Sequence, residues 1–402
     1  MGNCNKCGKD CNEIKINQFD HSFHLGNVSE GCKRCIKGEK LVLFITGKCA
    51  QQCYYCPVSE HKFGHDKIFA DEWEIEDNEQ GWKNLVKEVK LINAKGAGIT
   101  GGDPLCVLER TCKYIKRMKE QFGKDFHVHL YTPLKLINKE VLVKLNESGL
   151  DEIRFHPDLD DDKLWDKLLL AKDFVWDIGI EIPCVPGKEF EIKKLIDFVA
   201  EHDIIKFFNL NELERSDTSV EHYSLPNDQF PTIDQISYAI QGSKELAELF
   251  VNHVNEKNYD FTIYFCTAKL KDGTQLTNRL KRRAKSLAKL PYNKLTDEGT
   301  LIKGVIYLEE LKPGFDYKEK LVQLSSEYKG KLLEKLNEQK DLIEKTIKRT
   351  NQIFIDEKKF RLLCSLKILE KNVKKIKKIN LIPAIVEEMP TEDAMELEIE
   401  FL

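Results

Sequence analysis

Three cysteines stand close together in the stretch Cys49-Ala-Gln-Gln-Cys53-Tyr-Tyr-Cys56. Thiolates at this spacing can bind one soft metal centre from one side. A cubane iron–sulfur cluster is fully ligated by cysteine only when four thiolates reach it, so three leave one iron with an exchangeable position. An open coordination position is typical of a metal centre that does chemistry. From spacing alone, the alternative is a zinc site that takes a fourth ligand from elsewhere in the chain.

A buried strand must position these cysteines. The apolar run 41–45 ends just before them, so they lie on the loop at its carboxyl end. Repeated βα units predict a parallel sheet with right-handed crossovers. The expected fold class is therefore α/β, a (β/α)6 partial TIM barrel, in which chemistry sits at the carboxyl ends of the strands. The five further strands are predicted at 98–100, 126–131, 152–156, 178–182 and 205–210, and the helices at 82–92, 112–118, 141–145, 164–174 and 192–199.

A glycine-rich turn, Gly101-Gly102-Asp103-Pro104, follows the second predicted strand. Together with the cysteines it resembles the two signatures of the radical S-adenosylmethionine (SAM) superfamily. In that family a CxxxCxxC loop ends the first barrel strand, and a Gly-Gly-Glu-Pro-like turn ends the second. An aromatic residue before the third cysteine is typical, and Tyr55 fills that place. Asp103 departs from the family's glutamate, which keeps the acceptor oxygens and shortens their reach.

The resemblance implies two cofactors, a [4Fe–4S] cluster and SAM. It implies that the three cysteines ligate the cluster, and that the amino and carboxylate groups of SAM chelate the open iron. Gly101, Gly102 and Asp103 are expected to receive the SAM ammonium, since a cation favours oxygen acceptors and glycine lets the backbone approach closely. Tyr55 is expected near the adenine. One electron then cleaves SAM, and the resulting 5′-deoxyadenosyl radical takes a hydrogen atom from a substrate C–H bond.

Later strand ends supply further candidates for cofactor binding. Arg154, on the fourth strand, could pair with the SAM carboxylate or ribose, or could form an ordinary barrel-end ion pair. His156 fits the second reading better. The backbone near Pro183 ends the fifth strand, where the family often contacts adenine. The sixth strand ends with Asn209, Asn211 and Glu212, of which Asn211 is the candidate cofactor ligand.

A second group of cysteines lies at the start of the chain. Cys4 and Cys7 form one CxxC pair, and Cys32 and Cys35 form another. Two such pairs are typical of a zinc ribbon, in which four thiolates close a tetrahedron. An auxiliary iron–sulfur cluster is the alternative. Free cysteines are disfavoured, because this segment has little else to fold around.

The pattern divides the chain into four segments. A strand at 261–265 ends at Cys266, which is either a substrate-contacting thiol or a buried core residue. The stretch 269–289 carries eight Lys or Arg against one acidic residue, and either binds phosphates or forms a solvated helix face. The predicted segments are a Cys-rich segment at 1–38, the barrel at 39–215, a barrel extension with the basic stretch at 216–310, and an α+β extension at 311–402.

The last segment begins with apolar residues at helical spacing through 321–347, in a Lys/Glu-rich background. This pattern predicts a long exposed amphipathic helix, which could pair with another helix. Short strands with an acidic finish are expected from residue 352 onward.

Within the superfamily, the chain is most similar to an archaeal-type branch related to pyruvate formate-lyase activating enzymes. That branch also joins a Cys-rich front to the CxxxCxxC core and has a stretch like Cys266–Asp272. The leading functional hypothesis is a radical enzyme that acts on a macromolecule, RNA or protein, with a reductant such as ferredoxin or flavodoxin. The alternative is a metal-binding module whose cluster is structural or senses redox state and does not cleave SAM.

Composition and charge narrow the partners and the cellular compartment that we expect for this chain. The formal net charge of −4 gives no overall attraction to nucleic acid or anionic lipid. No apolar run approaches the ~20 residues of a membrane span, so no membrane partner is expected. An odd count of 13 cysteines argues against a disulfide framework. Since Met1-Gly2-Asn3-Cys4 lacks a secretory core and metal-bound thiolates must stay reduced, the cytosol is the expected compartment.

Overall fold

The computed structural model describes residues 13–314 and 316–402. The chain forms two compact units, and the boundary between them along the sequence falls between Arg279 and Leu280. The predicted segment boundaries near residues 38, 215 and 310 differ from this division. Within the described residues, no helix is both long enough and apolar enough to cross a membrane.

The first unit opens with a hairpin and a short helix. The hairpin pairs β1 (Ile14–Ile16) antiparallel with β2 (Phe23–Leu25), and α1 (Glu30–Ile36) follows. Ser29 caps α1, because its Oγ accepts a hydrogen bond from the amide of Cys32 at 3.3 Å.

Strands and helices then alternate through the rest of this unit. In chain order they are β3 (Lys40–Phe44), β4 (Ile68–Ala70), β5 (Trp73–Ile75), α2 (Glu79–Ile92), β6 (Gly96–Thr100), α3 (Leu108–Phe122), β7 (His127–Pro133), α4 (Lys139–Ser148), β8 (Glu152–His156), β9 (Asp177–Cys184), α5 (Glu189–Glu201), β10 (Phe207–Glu212), α6 (Ser243–Lys257), β11 (Thr262–Cys266) and α7 (Ala268–Leu270). The boundary between the two units falls within α8 (Thr277–Leu287). The helix predicted at 164–174 is a 3₁₀ stretch, Asp162–Asp173.

Parallel pairing makes these strands a partial barrel. Among the described residues, seven strands run parallel in the order β11-β10-β9-β8-β7-β6-β3. The six predicted barrel strands are β3 and β6 to β10, so the predicted fold class is confirmed. The strand predicted separately at 261–265 is β11, which pairs in parallel with β10 and extends the same sheet. At the edges, β2 pairs antiparallel with β11 and β4 with β3.

Alternation along each strand separates an apolar outer face from a polar interior. On β8, Ile153 and Phe155 are buried in the apolar core, while Arg154 between them forms ion pairs with neighbouring barrel residues. The same alternation holds on β7, where Leu130 belongs to the core and Tyr131 reaches Arg154. A period of two therefore places a row of polar side chains inside the barrel.

Helix α1 covers the end of the barrel where the strands begin. It contacts β3, β6 and β7, and the amide of Gly31 donates to Glu152 Oε2 on the first residue of β8 at 3.1 Å. The interior of the barrel is therefore closed at its N-terminal end by a piece of chain that precedes the first barrel strand.

The second unit is an antiparallel sheet with helices. Its elements are β12 (Lys294–Leu295), β13 (Leu301–Leu308), α9 (Tyr317–Gln323), α10 (Ser326–Ile347), β14 (Phe354–Asp356), β15 (Arg361–Cys364), α11 (Leu366–Lys377), β16 (Leu381–Glu388) and β17 (Glu396–Phe401). The sheet order is β14-β15-β13-β16-β17, with β12 also paired to β13. This is the expected α+β extension.

The helix predicted through 321–347 is present but is not a free amphipathic helix. It begins at Ser326, because Ser325 caps it by accepting from the amide of Tyr328 at 3.2 Å. Its apolar positions, among them Leu332 and Leu336, are buried in the core of the second unit. The predicted apolar face therefore packs against α11, β14 and β15, a tertiary contact that helical periodicity does not identify.

This packing predicts a contrast between two leucines of α10. Leu336 is 0% exposed and Leu342 is 40% exposed. Leu336→Ala should lower the free energy of unfolding by about 2–5 kcal/mol, because it leaves a cavity in the core. Leu342→Ala, the matched control on the same helix, should change it by no more than about 0.5 kcal/mol. Urea unfolding of the full chain measures both, and equal losses would contradict the buried face.

Candidate active site

The three cysteines of the CxxxCxxC motif line one wall of a cavity at the carboxyl end of the barrel. They follow β3, as predicted, and all three are free thiols that are partly buried. The cavity has a volume of about 750 Å³, and Cys49, Cys53 and Cys56 border it together with Gly101 and Gly102. The donor set fits a cubane cluster held by three cysteines, since in a cubane each thiolate binds a different iron.

The surroundings of the thiols favour their protonated form when no metal is bound. Burial raises the pKa of Cys49 to about 11. Burial, reinforced by Cys56 and Cys49, raises the pKa of Cys53 to about 12. A positively charged metal centre reverses this preference and releases the protons on binding. Binding of a metal centre to this loop would therefore depend on pH, because it has to displace the thiol protons.

The glycine turn after β6 is fastened to the backbone that leads into the cysteine loop. The amide of Gly102 donates to the carbonyl of Thr46 at 2.9 Å, and the amide of Asp103 donates to the carbonyl of Lys48 at 2.7 Å. Gly101 has φ +150°, and a Cβ at Gly102 would collide with the Lys48 carbonyl oxygen. Only glycine permits this approach. The two predicted signatures thus lie in direct contact.

Asp103 holds the turn rather than facing the cavity. Its side chain is fully buried, and its Oδ1 accepts from the amide of Leu105 at 3.0 Å and from Thr132 Oγ1 at 2.9 Å. Burial raises the pKa of Asp103, although both hydrogen bonds oppose that shift. Its Oδ2 has no hydrogen-bond partner. The predicted contact between Asp103 and the SAM ammonium stays a prediction, whereas Gly101 and Gly102 do face the cavity.

Tyr55 and His156 form a pair on the cavity wall. The Tyr55 hydroxyl lies 3.1 Å from His156 Nε2, and His156 Nδ1 lies 2.8 Å from the carbonyl oxygen of Glu181. Burial lowers the pKa of His156, so the ring is neutral near pH 7. Nδ1–H then donates to the carbonyl, and Nε2 accepts from Tyr55. This pair fixes the ring of Tyr55, whose predicted position near adenine stays a prediction.

Arg154 is held by carboxylates inside the barrel. It is 2% exposed, its Nε donates to Glu152 Oε1 at 2.6 Å, and its Nη1 donates to Glu181 Oε2 at 2.6 Å. Nη1 also donates to the Tyr131 hydroxyl at 3.1 Å. The ion-pair alternative is thus what the structure shows, and contact with SAM stays a prediction, since Arg154 also borders the cavity.

The polar residues on β10 turn toward Glu181. Asn211 donates to Glu181 Oε1 at 3.1 Å and borders the cavity, and Asn209 donates to Glu181 Oε2 at 3.0 Å from a buried position. Glu212 instead accepts from the amide of Ala268 at 2.8 Å. Asn211 and Glu212 both border the cavity, and the predicted cofactor contact of Asn211 stays a prediction.

The predicted second metal site is only partly described. Cys4 and Cys7 lie outside the described residues. Cys32 accepts from Asn209 at 3.3 Å, and Cys35 donates to Gln275 Oε1 at 2.7 Å. Among residues 13–314 and 316–402, no three Cys, His, Asp or Glu side chains converge on a single ion. Zinc or a second cluster stays a prediction.

The basic stretch is largely neutralised where it adjoins the barrel. Arg279 pairs with Asp71 at 3.1 Å and with Glu72, and Lys271 pairs with Glu214. Neither alternative for the stretch, phosphate binding or a solvated face, describes these ion-paired positions.

The thiol of Cys266, at the end of β11, is buried, and its Sγ lies 3.6 Å from Gln275 Nε2.

Sequence reasoning missed several charged or polar residues that border the cavity, among them Lys40, Tyr131 and Glu181. Lys271 lies in the predicted basic stretch, but its place in the cavity was not predicted. Glu181 carried a signal, since a lone charge inside the apolar strand 178–182 is unusual unless it is paired. Lys40 directly precedes the predicted strand at 41–45. The position of Lys271 depends on the π-helical turn Lys271–Leu276, which no sequence pattern used above predicts.

The fold and the site define a partial-barrel enzyme with a cysteine-held cofactor at the strand ends. The family model of the radical SAM superfamily matches residues 43–198. A protein of Methanocaldococcus jannaschii, assigned by its name to the activating enzymes of glycyl-radical enzymes, is 38% identical over 378 residues, which are 92% of this chain and 91% of that protein. The chain belongs to the radical SAM superfamily, and the resemblance found in its sequence is confirmed.

Two further comparisons concern shorter or more distant similarity. A second Methanocaldococcus jannaschii protein, named as a GTP 3′,8-cyclase, is 27% identical over 128 residues, which are 32% of this chain and 39% of that protein. Among solved structures, coproporphyrinogen III oxidase (HemN) of Escherichia coli is 10% identical, with a TM-score of 0.38 and coverage of 87% of this chain and 93% of that one.

The contact between the turn and the loop predicts a strong effect of Gly102→Ala. The added Cβ meets backbone, which cannot rotate away, so the loop that carries Cys49 must shift. Iron bound after anaerobic reconstitution and 5′-deoxyadenosine release should each fall at least about tenfold. Gly330→Ala is the control, because nothing lies within 4 Å of its Cβ and it sits on α10. Unchanged iron content in Gly102→Ala would contradict the contact.

Proposed function

We propose that this radical SAM enzyme removes a hydrogen atom from a glycine of a partner protein and so activates that partner. The observation that carries the proposal is the similarity to a relative named for this activity, which spans 92% of this chain. A similarity confined to the barrel would support only the shared chemistry. Here it extends through most of both units.

The residues of the site support specific tasks. Cys49, Cys53 and Cys56 would hold the cluster, and Gly101 and Gly102 would offer backbone oxygens to the SAM ammonium. When bound, the cluster and SAM would supply a one-electron reductive cleavage, and the hydrogen atom taken from the substrate would end in the product 5′-deoxyadenosine. The electron would come from a small reductant such as ferredoxin or flavodoxin.

An RNA substrate is less well supported than a protein. The basic residues predicted to meet phosphates are ion-paired at Arg279 and Lys271, and the net charge of −4 gives no overall attraction to a polyanion. The other alternative, a structural or redox-sensing cluster without SAM cleavage, differs from the proposal in one measurable product, 5′-deoxyadenosine.

Cys53→Ala separates these alternatives. With two thiolates the cluster should not form in its active state, so 5′-deoxyadenosine release with dithionite should be abolished. Cys112→Ala, on α3 and partly buried, is the matched control and should release the product at the wild-type rate. Release that persists in Cys53→Ala would exclude the predicted cluster, and no release by the wild-type enzyme would favour a structural cluster.

Isotope labelling can identify the class of substrate, because the hydrogen atom removed from the substrate ends in 5′-deoxyadenosine. Cells of the organism that encodes this protein are grown on α-deuterated glycine, and their soluble extract is separated into protein and RNA fractions. Each fraction is then incubated anaerobically with the reconstituted enzyme, SAM and dithionite. Hydrogen abstraction from a glycine Cα should place deuterium in 5′-deoxyadenosine only with the protein fraction, detected by mass spectrometry.

Unlabelled protein is the control for that measurement, and Cys53→Ala is the control for enzyme-dependent transfer. A reaction with the labelled protein fraction that yields no deuterium-containing 5′-deoxyadenosine would contradict glycine as the target. Substrate-dependent release with the RNA fraction alone would contradict a protein substrate.

A further inference from the structure

The floor of the cavity carries a positive charge that no carboxylate of the described residues contacts. Lys40 begins β3, borders the cavity and is 8% exposed. Its ammonium donates to the Tyr131 hydroxyl at 3.3 Å. Among residues 13–314 and 316–402, no carboxylate oxygen lies within 4.0 Å of this nitrogen. An ammonium has three donors, so the described residues leave most of its hydrogen-bonding capacity unused.

The other cations that border the cavity are already engaged. Arg154 is paired with Glu152 and Glu181, and Lys271 is paired with Glu214. Arg215 donates to two backbone carbonyl oxygens, those of Leu225 and Phe230. Lys40 therefore stands apart as a cavity cation that is satisfied neither by a carboxylate nor by carbonyl groups.

The barrel is built to bring Lys40 into the cavity. Its stem runs along β6 at Gly98, where a Cβ would lie 3.2 Å from Lys40 Cδ and 2.6 Å from His129 Nε2. The absence of a side chain at Gly98 leaves the space through which the lysine extends. Tyr131, which accepts from Lys40, also lies 3.3 Å from His129 Nε2 and fixes the direction of the ammonium.

The surrounding groups keep Lys40 charged without neutralising it. Burial and repulsion from Arg154 work against the charge, but the Tyr131 hydroxyl and the Glu181 carboxylate favour it, and the pKa of Lys40 is raised. Burial, together with Arg154 and Lys40, lowers the pKa of His129 well below its ordinary value, so that ring is neutral. Glu181 is shared among Arg154, Asn209 and Asn211. Because Glu181 is already engaged, it stabilises the charge of Lys40 only from beyond hydrogen-bonding distance, and an anionic ligand would bind the ammonium directly.

We propose that Lys40 is the anion subsite of the cavity and binds a carboxylate of the substrate. This inference rests on the proposed function, a protein substrate, so the carboxylate belongs to an Asp or Glu side chain close to the target glycine. Lys40 would be a specificity-determining residue that selects acidic segments and sets how deeply the segment enters the barrel.

The test measures peptide selection by the intact enzyme, reconstituted with its cluster and supplied with SAM but no reductant. The probe is a pool of octapeptides with a central glycine, acetylated and amidated so that only side chains carry charge. A second pool replaces Asp and Glu with Asn and Gln. Wild type should retain acidic peptides at least about tenfold better than their neutral counterparts.

Three variants give the result its meaning. Lys40→Met keeps the length of the side chain and should retain both pools equally. Lys40→Arg keeps the charge and should recover part of the preference, which a purely structural role of Lys40 would not produce. Lys83→Met, at an exposed lysine of α2, should match wild type. Thermal unfolding and iron content show whether each variant is folded and loaded.

The outcomes are decisive in both directions. A preference that survives in Lys40→Met, or no preference for acidic peptides in wild type, would overturn the subsite. Release of 5′-deoxyadenosine by the wild-type enzyme with dithionite needs no peptide, so it reports on the proposed function separately. Acidic selection without that release would leave the subsite standing and reject the radical reaction.

Discussion

The interior of this barrel is organised by the charge of Arg154. One guanidinium joins Glu152 on its own strand to Glu181 on β9, reaches Tyr131 on β7 and donates to Ser29, which caps α1. Glu181 extends the connection to β10 through two asparagines. Removing one partner of a buried ion pair costs about 3–5 kcal/mol, so these groups depend on one another. A polar barrel interior is stable here because nearly every charge in it is compensated.

The cofactor site at the carboxyl end of the barrel depends on backbone hydrogen bonds rather than on ion pairs. The cysteine loop and the glycine turn lie on neighbouring strands, β3 and β6, and two backbone hydrogen bonds join them. The predicted cluster ligands and the expected SAM contacts are therefore joined directly through the backbone. Since each amide must approach a carbonyl closely, side chains are excluded at the turn. Asp103 stabilises the turn after β6, because its side chain accepts a hydrogen bond from the amide of Leu105.

Local sequence was sufficient for the parts of the site that depend on local geometry. The spacing of Cys49, Cys53 and Cys56 and the turn at Gly101 gave the cofactor end of the barrel, and apolar runs gave its strands. Long-range contacts were beyond such reasoning. Nothing near Lys40 indicates that it extends past Gly98, and nothing near Leu336 indicates a sheet beneath α10. Arg154 was a candidate ligand because a strand-end arginine suggests an anion, but its carboxylate partners come from the fold.

The position of α1 has a kinetic consequence. Because this helix covers the end of the barrel where the strands begin, the cavity is entered from the side of the cysteine loop. A group that reaches the floor at Lys40 has to pass the level at which the cofactors would lie. A group bound at the floor therefore enters and leaves beside the cofactors, and its residence time depends on how much of the opening they leave free as well as on its own affinity.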